Sequence, residues 1–591
     1  MMAGQSDNPL IVQGDHTILV EVHSPRYVEA RDALARFAEL VKSPEHVHTY
    51  RITPLSIWNA CAAGMSPQAI VETLHALSKY DVPHHVGTEI AEFASRYGQL
   101  QLHRDVRHGL RLDAAREALA AELECHRDVA PWLRERIGAC EFSVDVGARG
   151  RLKQELIKAG WPVEDLAGYT PGEPLELTLR DVTAGGLPFA LRDYQRESAD
   201  VFYAAGSERG GSGVIVLPCG AGKTIVGLAC LSRLQTSTLI LTTNITAARQ
   251  WLAEVLDKTS LTPDQVGEYT GAVKDIRPVT AATYNILTWR ADRDGEFPHM
   301  QVFDCRNWGL IIYDEVHLLP APVFQATAGL QARRRLGLTA TLVREDGREE
   351  DVFALIGPKK YDVPWKVLEH QGWIAQAQCH EVRVPLPEAL KMTYATAPKR
   401  DKFRVAAENP LKGEIVRDLL DRHALDQVLV IGMFVDQLRE VARSRRLPLI
   451  TGSTPQKRRD ELFEQFKSGV VKHLAVSKVA NFAVDLPDAA VAIQISGTYG
   501  SRQEEAQRLG RILRPKPGAN QATFYTLVTR DTVEQDFALN RQLFLTEQGY
   551  QYAIHEGVPQ PSATSPETPG RNPSATGRHA AREAVAAAAR P

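Results

Sequence analysis

The run Leu217-Pro218-Cys219-Gly220-Ala221-Gly222-Lys223-Thr224 has the residue types needed to hold phosphate. Val214 to Leu217 reads as a buried strand and Lys223 onward as a helix, so the loop between them must turn tightly. Gly220 and Gly222 permit that turn because they carry no Cβ. Loop N–H groups and the helix N-terminus then face the β- and γ-phosphates of ATP. Lys223 adds a point charge, and Thr224 can ligate Mg2+. The strict pattern has Gly at the position of Leu217.

Asp314-Glu315 follows the apolar run Leu310-Ile311-Ile312-Tyr313. A carboxylate pair at the C-terminal end of a buried strand lies where parallel sheets bind ligands. Asp314 suits Mg2+, and Glu315 suits positioning or deprotonating a water. Farther on, Gln507-Arg508-Leu509-Gly510-Arg511-Ile512-Leu513-Arg514 repeats arginine every three residues, which places the arginines on one helix side. A solvated basic face is the alternative. Cations aimed at a γ-phosphate stabilise transferring charge. If they come from a second domain, ATP hydrolysis is coupled to domain closure.

These groups need rigid supports. From Leu191, short apolar runs alternate with helical stretches: Val214–Leu217, Thr238–Leu241, Leu310–Tyr313, Val428–Ile431, Leu474–Val476, Val491–Ile495 and Phe524–Val528. The pattern predicts an α/β fold with parallel sheets covered by helices, in two domains of about 150 residues. Ahead of them, Ile18–Val22 reads as a strand and Tyr27–Val41 as a helix. Thr53-Pro54 and Ser66-Pro67 read as helix starts. Helices are also expected over Ala114–Leu123 and Leu152–Ala159, with a linker from Asp181 to Pro188. From Gly557 the chain has no aromatic residue and is rich in Pro, Ser, Thr and Ala, which predicts a disordered tail, bounded at 549–591.

The chain has 591 residues, 44% of them hydrophobic, and a formal net charge of −3. That balance neither favours nor excludes nucleic acid. No apolar run is long enough to span a membrane, and Met1–Leu10 does not read as a signal peptide. Seven cysteines without a CxxC pair argue for reduced thiols in a cytoplasmic protein. They also argue against a structural zinc or an iron–sulfur cluster. His46 and His48 lack a partner cluster and are read as structural or solvated.

The ordered motifs resemble superfamily 2 helicases of the XPB type. The likeness rests on the phosphate loop, Asp314-Glu315-Val316-His317, Leu338-Thr339-Ala340-Thr341 and the Gln507–Arg514 run. It extends to Leu191-Arg192-Asp193-Tyr194-Gln195, Thr242-Thr243-Asn244, Arg249-Gln250-Trp251, Thr451-Gly452-Ser453-Thr454 and Ser477-Lys478-Val479. Leu217 is normal for this family, while Ala480 to Asp485 departs from its more usual glycine- and acid-containing stretch.

The resemblance implies two RecA-like helicase domains, at 186–365 and 366–548. It covers residues from about 9 to 548 and places an XPB-like N-terminal domain at 1–100 and a weakly defined damage-recognition-like module and linker at 101–185, ahead of the tail at 549–591. It implies a DNA-dependent ATPase using ATP and Mg2+, with Glu315, His317, Gln507, Arg511 and Arg514 acting in catalysis and coupling. Gln195 and Arg192 would join residues 217–224 at the nucleotide, with Thr224 and Asp314 at the metal. Arg344-Glu345-Asp346 resembles the family's strand-separating RED motif. Residues from about 387 to 410 resemble its thumb, where Lys399, Arg400 and Lys402 would meet DNA; a solvated loop is the alternative. Between Lys391 and Lys412, six basic residues face two acidic ones. The implied partner is DNA, single-stranded and at duplex junctions, with 3′-to-5′ movement and a role in repair; a repair or nuclease partner is left unidentified. A double-stranded DNA translocase without processive unwinding shares all of these motifs. RNA is disfavoured, because nothing resembles an added RNA-binding module.

Overall fold

A computed structural model describes residues 7–42, 46–207, 210–292, 297–329, 333–340, 349–477, 489–499, 501–514 and 520–557. Strands Leu10–Val12 (β1), Thr17–Glu21 (β2), Glu39–Lys42 (β3) and Val47–Arg51 (β4) form an antiparallel sheet in the order β1-β2-β4-β3. The helix expected over Tyr27–Val41 is instead two elements, a helix at Tyr27–Leu34 and then β3. Leu34, Phe37 and Leu40 all enter one core, so the apolar spacing runs unbroken through a change of backbone. The helix starts at Thr53 and Ser66 occur as read. Each side chain accepts from the N–H three residues on, and proline holds the first helical position.

A second four-stranded sheet joins Leu100–Asp105 (β5), Gly109–Ala114 (β6), Glu141–Val144 (β7) and Val163–Asp165 (β8) in the order β7-β6-β5-β8. Ala114 pairs with Leu100 at the end of β6, so the helix expected from Ala114 starts at Glu117. The next helix, Arg149–Lys158, carries Arg149 and Lys153, which both bind Asp165 in a buried cluster.

Two seven-stranded parallel sheets follow. The first contains Ser212–Val216 (β9), Thr238–Thr242 (β10), Val266–Tyr269 (β11), Val279–Thr283 (β12), Leu310–Asp314 (β13), Arg334–Thr339 (β14) and Lys359–Asp362 (β15). Its order is β11-β12-β10-β13-β14-β9-β15. The second contains Gln376–Val384 (β16), Val428–Gly432 (β17), Leu449–Ile450 (β18), His473–Ser477 (β19), Val491–Gln494 (β20), Gln521–Thr529 (β21) and Tyr552–Glu556 (β22). Its order is β18-β19-β17-β20-β21-β16-β22. Central strands such as β10 and β17 are buried along their whole length, as strands covered on both faces must be. β22 lies inside the stretch read as tail, where it pairs with β16 as an edge strand. Residues 558–591 lie outside the described residues.

The N-terminal module touches both large domains. Trp58 packs with Phe353 and Ala354, and the Lys359 N–H donates to Asn59 Oδ1 at 3.0 Å, beside the first sheet. Leu543, from the helix Val533–Glu547 of the second domain, joins the N-terminal core. No helix among the described residues is long and apolar enough to cross a membrane.

Candidate active site

The phosphate loop leaves β9 and enters the helix Lys223–Leu234. Gly220 and Gly222 both have φ of +82°, in the left-handed region where a Cβ is strained. Leu217 and Pro218 are buried, and the Leu217 N–H donates to the Thr339 carbonyl at 3.0 Å. They anchor the loop to β14, so the Leu217 side chain belongs to the core and not to the loop's open face. Cys219, Gly222, Lys223 and Thr224 remain partly exposed. Ala221 is buried, and its carbonyl accepts from Gln195 Nε2 at 3.0 Å and from the Tyr194 hydroxyl at 2.6 Å.

Gln195 therefore grips the loop backbone, while its Oε1 accepts from the Arg192 N–H at 3.1 Å. The Arg192 guanidinium donates to the Tyr194 hydroxyl at 3.0 Å and lies 4.4 Å from the ring centre of Trp373, which leads into the second sheet.

Asp314 closes β13, and Glu315 follows with φ of +50°, a backbone that a residue with a side chain rarely adopts. That turn aims Glu315 at the loop, where Oε1 accepts from Lys223 Nζ at 2.8 Å. Burial works against the Lys223 charge, but Glu315, assisted by Asp314, outweighs it and raises its pKa. Asp314 is held by Trp251, whose indole N–H donates to Oδ2 at 2.9 Å, and Tyr284 donates to its carbonyl, also at 2.9 Å. Burial and the adjacent Glu315 push the Asp314 carboxyl up to about 6. Trp251 and Tyr284 were not singled out from sequence as positioning groups. The position of Trp251, in the Arg-Gln-Trp run after the Thr-Thr-Asn motif, was the available signal.

His317 is buried, with Nδ1 2.7 Å from the Thr339 hydroxyl and 3.5 Å from Glu315. A connected path thus runs from Lys223 through Glu315 and His317 to Thr339, whose carbonyl holds the loop again at Leu217.

The second domain meets this site directly. A Cβ on Gly510 would lie 2.2 Å from the Cys219 Cβ, so only glycine allows the two backbones to approach there. A Cβ on Gly220 would lie 3.6 Å from the Arg514 side chain. Gln507 is buried, and its Oε1 has no hydrogen-bond partner among the described residues. The shared helix side expected for the arginines needs correction. The helix Arg502–Ile512 ends before Arg514. Arg508 is 1% exposed and turned into its own domain, bonded to Gln494 and 3.5 Å from Glu504. Arg511 is on the helix, and its side chain is outside the described residues.

The thumb-like stretch is a helical hairpin, Glu388–Thr396 and Lys399–Ala407. Lys399 and Arg400 are exposed, and Lys402 is half-buried beside the Tyr394 ring. Lys412 does not belong with them. It is fully buried and bound to Glu534 at 2.7 Å, so its charge serves the core. Arg344, Glu345 and Asp346 lie outside the described residues, as do Thr341, Lys478, Val479 and residues 480–485.

The left-handed glycines, the helix N-terminus and Lys223 fit a triphosphate. Thr224 and the half-buried carboxylate of Asp314 are the hard oxygen donors that Mg2+ prefers.

Residues 368–567 match the family described as ERCC3/RAD25/XPB C-terminal helicase. Residues 188–344 match the res subunit of type III restriction enzymes, and 10–138 match a helicase conserved C-terminal domain. The chain is 53% identical to the DNA 3′-5′ helicase XPB of Kineococcus radiotolerans, over 95% of this chain and 100% of that one. It is 52% identical to the protein of the same name in Mycobacterium tuberculosis, over 93% and 98%. The general transcription and DNA repair factor IIH helicase/translocase subunit XPB of Enterocytozoon bieneusi is 31% identical, with 93% of each chain covered.

Proposed function

The chain belongs to the XPB family of DNA helicases, and we propose that it uses ATP hydrolysis between its two parallel-sheet domains to move 3′ to 5′ on DNA and separate strands, in DNA repair. The observation that carries this reading is the Lys223–Glu315 pair, set at the seam where Gly510 and Arg514 of the second domain meet the phosphate loop.

In this mechanism the loop N–H groups and Lys223 receive the phosphates. Lys223 then exchanges Glu315 for phosphate, and Glu315 is left to orient a water. Thr224 and Asp314 would hold Mg2+, which neutralises phosphate charge when bound. Arg511 and Arg514 supply cations from the other domain, so the site is complete only when the seam is closed. His317, on Thr339 and beside Glu315, carries the state of the site toward the DNA side. Lys399, Arg400 and Lys402 meet the DNA backbone. Arg344-Glu345-Asp346 acts at the strand junction, an assignment supported by motif resemblance alone.

The test is ATP hydrolysis with and without single-stranded DNA, paired with unwinding of tailed duplexes of both polarities. The expected result is DNA-stimulated hydrolysis and displacement only from a 3′ tail. Replacing Arg344, Glu345 and Asp346 together with Ala should spare the ATPase and remove most unwinding. A parallel fall in both would place these residues in support of the motor. DNA-stimulated hydrolysis without displacement by the unaltered protein would favour the double-strand translocase, a reading supported by the helicase/translocase name of the Enterocytozoon bieneusi relative.

A further inference from the structure

Tyr499 is an aromatic side chain that the hydrolysis mechanism does not use. It follows β20, in the loop that leads to the helix Arg502–Ile512, at the C-terminal edge of the second sheet. It is 56% exposed. Beneath it lies a set of rings: Phe403 at 4.6 Å between centres, and Phe537 at 5.9 Å, edge-on. Phe434 extends the set, 5.9 Å from Phe403. Phe403 is 1% exposed, so the cluster already has its buried centre, and Tyr499 is its outer surface.

The loop that carries Tyr499 is held in place. Arg541, fully buried, donates to the Thr498 carbonyl at 2.7 Å. A Cβ on Gly497 would fall 2.1 Å from the Arg541 guanidinium carbon, so glycine lets the loop sit directly on that side chain. The ring is therefore presented from a fixed backbone.

The surroundings are basic. Phe403 is on the helix Lys399–Ala407, and Lys399 and Arg400 lie four and three residues before it, on the same helix side. Arg400 is 87% exposed and 3.6 Å from Asp401. Arg404 is bound to Glu408 at 2.9 Å and reaches toward Asp436 at 3.8 Å, so it is balanced within the protein. Lys399, Arg400 and Lys402 leave the local balance positive. An exposed aromatic surface beside solvated cations is the pairing that binds single-stranded nucleic acid, because bases stack on the ring while phosphates follow the charge. A paired duplex keeps its bases stacked on one another and offers no free base face.

We propose that Tyr499 is a stacking platform for an unpaired base of single-stranded DNA, placed beside the thumb. This rests on the reading of the thumb as a backbone contact and adds a base contact to it. The experiment measures binding of a fluorescent single strand and of the same strand with abasic sites, across a series of salt concentrations. Tyr499→Ala should weaken binding to the base-bearing strand about tenfold and leave binding to the abasic strand unchanged. The slope of log affinity against log salt should not change, since no charge is removed. Tyr499→Phe, which keeps the ring and removes the hydroxyl, should bind as the unaltered protein does and serves as the check on folding. Equal losses on both strands, or no loss on either, would overturn the proposal. The thumb reading fails separately: its signature is the salt slope, which replacing Lys399, Arg400 and Lys402 alters and Tyr499→Ala does not.

Discussion

The two domains handle buried charge in opposite ways. In the first, Lys223 and Glu315 form a pair that faces the cleft, and in the proposed mechanism each partner is exchanged for a ligand group. In the second, Arg508 is sealed inside its own domain with Gln494 and Glu504, and Arg541 lies 3.4 Å from Glu505 in the same cluster. On the proposed reading the first arrangement keeps a charge available for chemistry. The second ties the helix Arg502–Ile512 to its own domain. Charge type and spacing in the sequence mark Arg508 and Arg511 alike; the burial of Arg508 comes from the residues that surround it, Gln494 and Glu504.

The largest effect should come from the exchangeable pair. Lys223→Ala should reduce ATP hydrolysis below detection, because both the phosphate charge and the partner of Glu315 are lost. Its unfolding midpoint in urea should stay close to that of the unaltered protein, since Lys223 meets the cleft and not the core. Hydrolysis near the original rate would remove the loop from the active site.

The arginines separate the two roles next. Arg511→Ala should lower turnover by about 10³–10⁵, the range for an arginine acting on transferring charge, with little change in ATP affinity. Arg508→Ala should act on stability, with a loss of about 3–5 kcal/mol, because it leaves acidic partners buried without their cation. Denaturant melts and single-turnover kinetics on both variants distinguish them. If Arg508→Ala were as stable as the parent but slow, Arg508 would act at the seam and the contrast between the domains would collapse.

Much of the nucleotide side was legible in the sequence because its requirements are local. Gly220 and Gly222 must turn left-handed, Lys223 must open a helix, and Asp314 must end a buried strand. Each leaves a mark within a few residues. Arg508 and Lys412 were misread because burial is set by distant partners. Glu534 lies more than a hundred residues from Lys412, and composition nearby gives no sign of it. β3 was read as helix because Leu34, Phe37 and Leu40 fill one core through two backbone geometries. β22 escaped notice because an edge strand with a partly exposed face, Tyr552–Glu556, lacks the unbroken apolar run of a central strand. Trp251 and Tyr284 are supporting groups whose role exists only where β10, β12 and β13 bring their ends together.

The smallest effect should come from the exposed cations of the thumb, the region least like the buried cleft. Lys399 and Arg400 are solvated, and each single contact with a phosphate is weak. Replacing Lys399, Arg400 and Lys402 together with Ala should leave the fold and the DNA-independent ATPase unchanged, since none of them contacts the phosphate loop. It should weaken DNA binding to the same degree on strands of any sequence. Each lost contact should flatten the slope of log affinity against log salt by about 0.7 on single strands. The three together should flatten it by about 2. Lys412 offers an internal control, because its replacement removes one positive charge from the core. It is buried against Glu534, so its replacement should lower stability and leave the salt slope of any folded protein unaltered. If the slope changed with Lys412 and not with the other three, the roles of core charge and surface charge would be reversed.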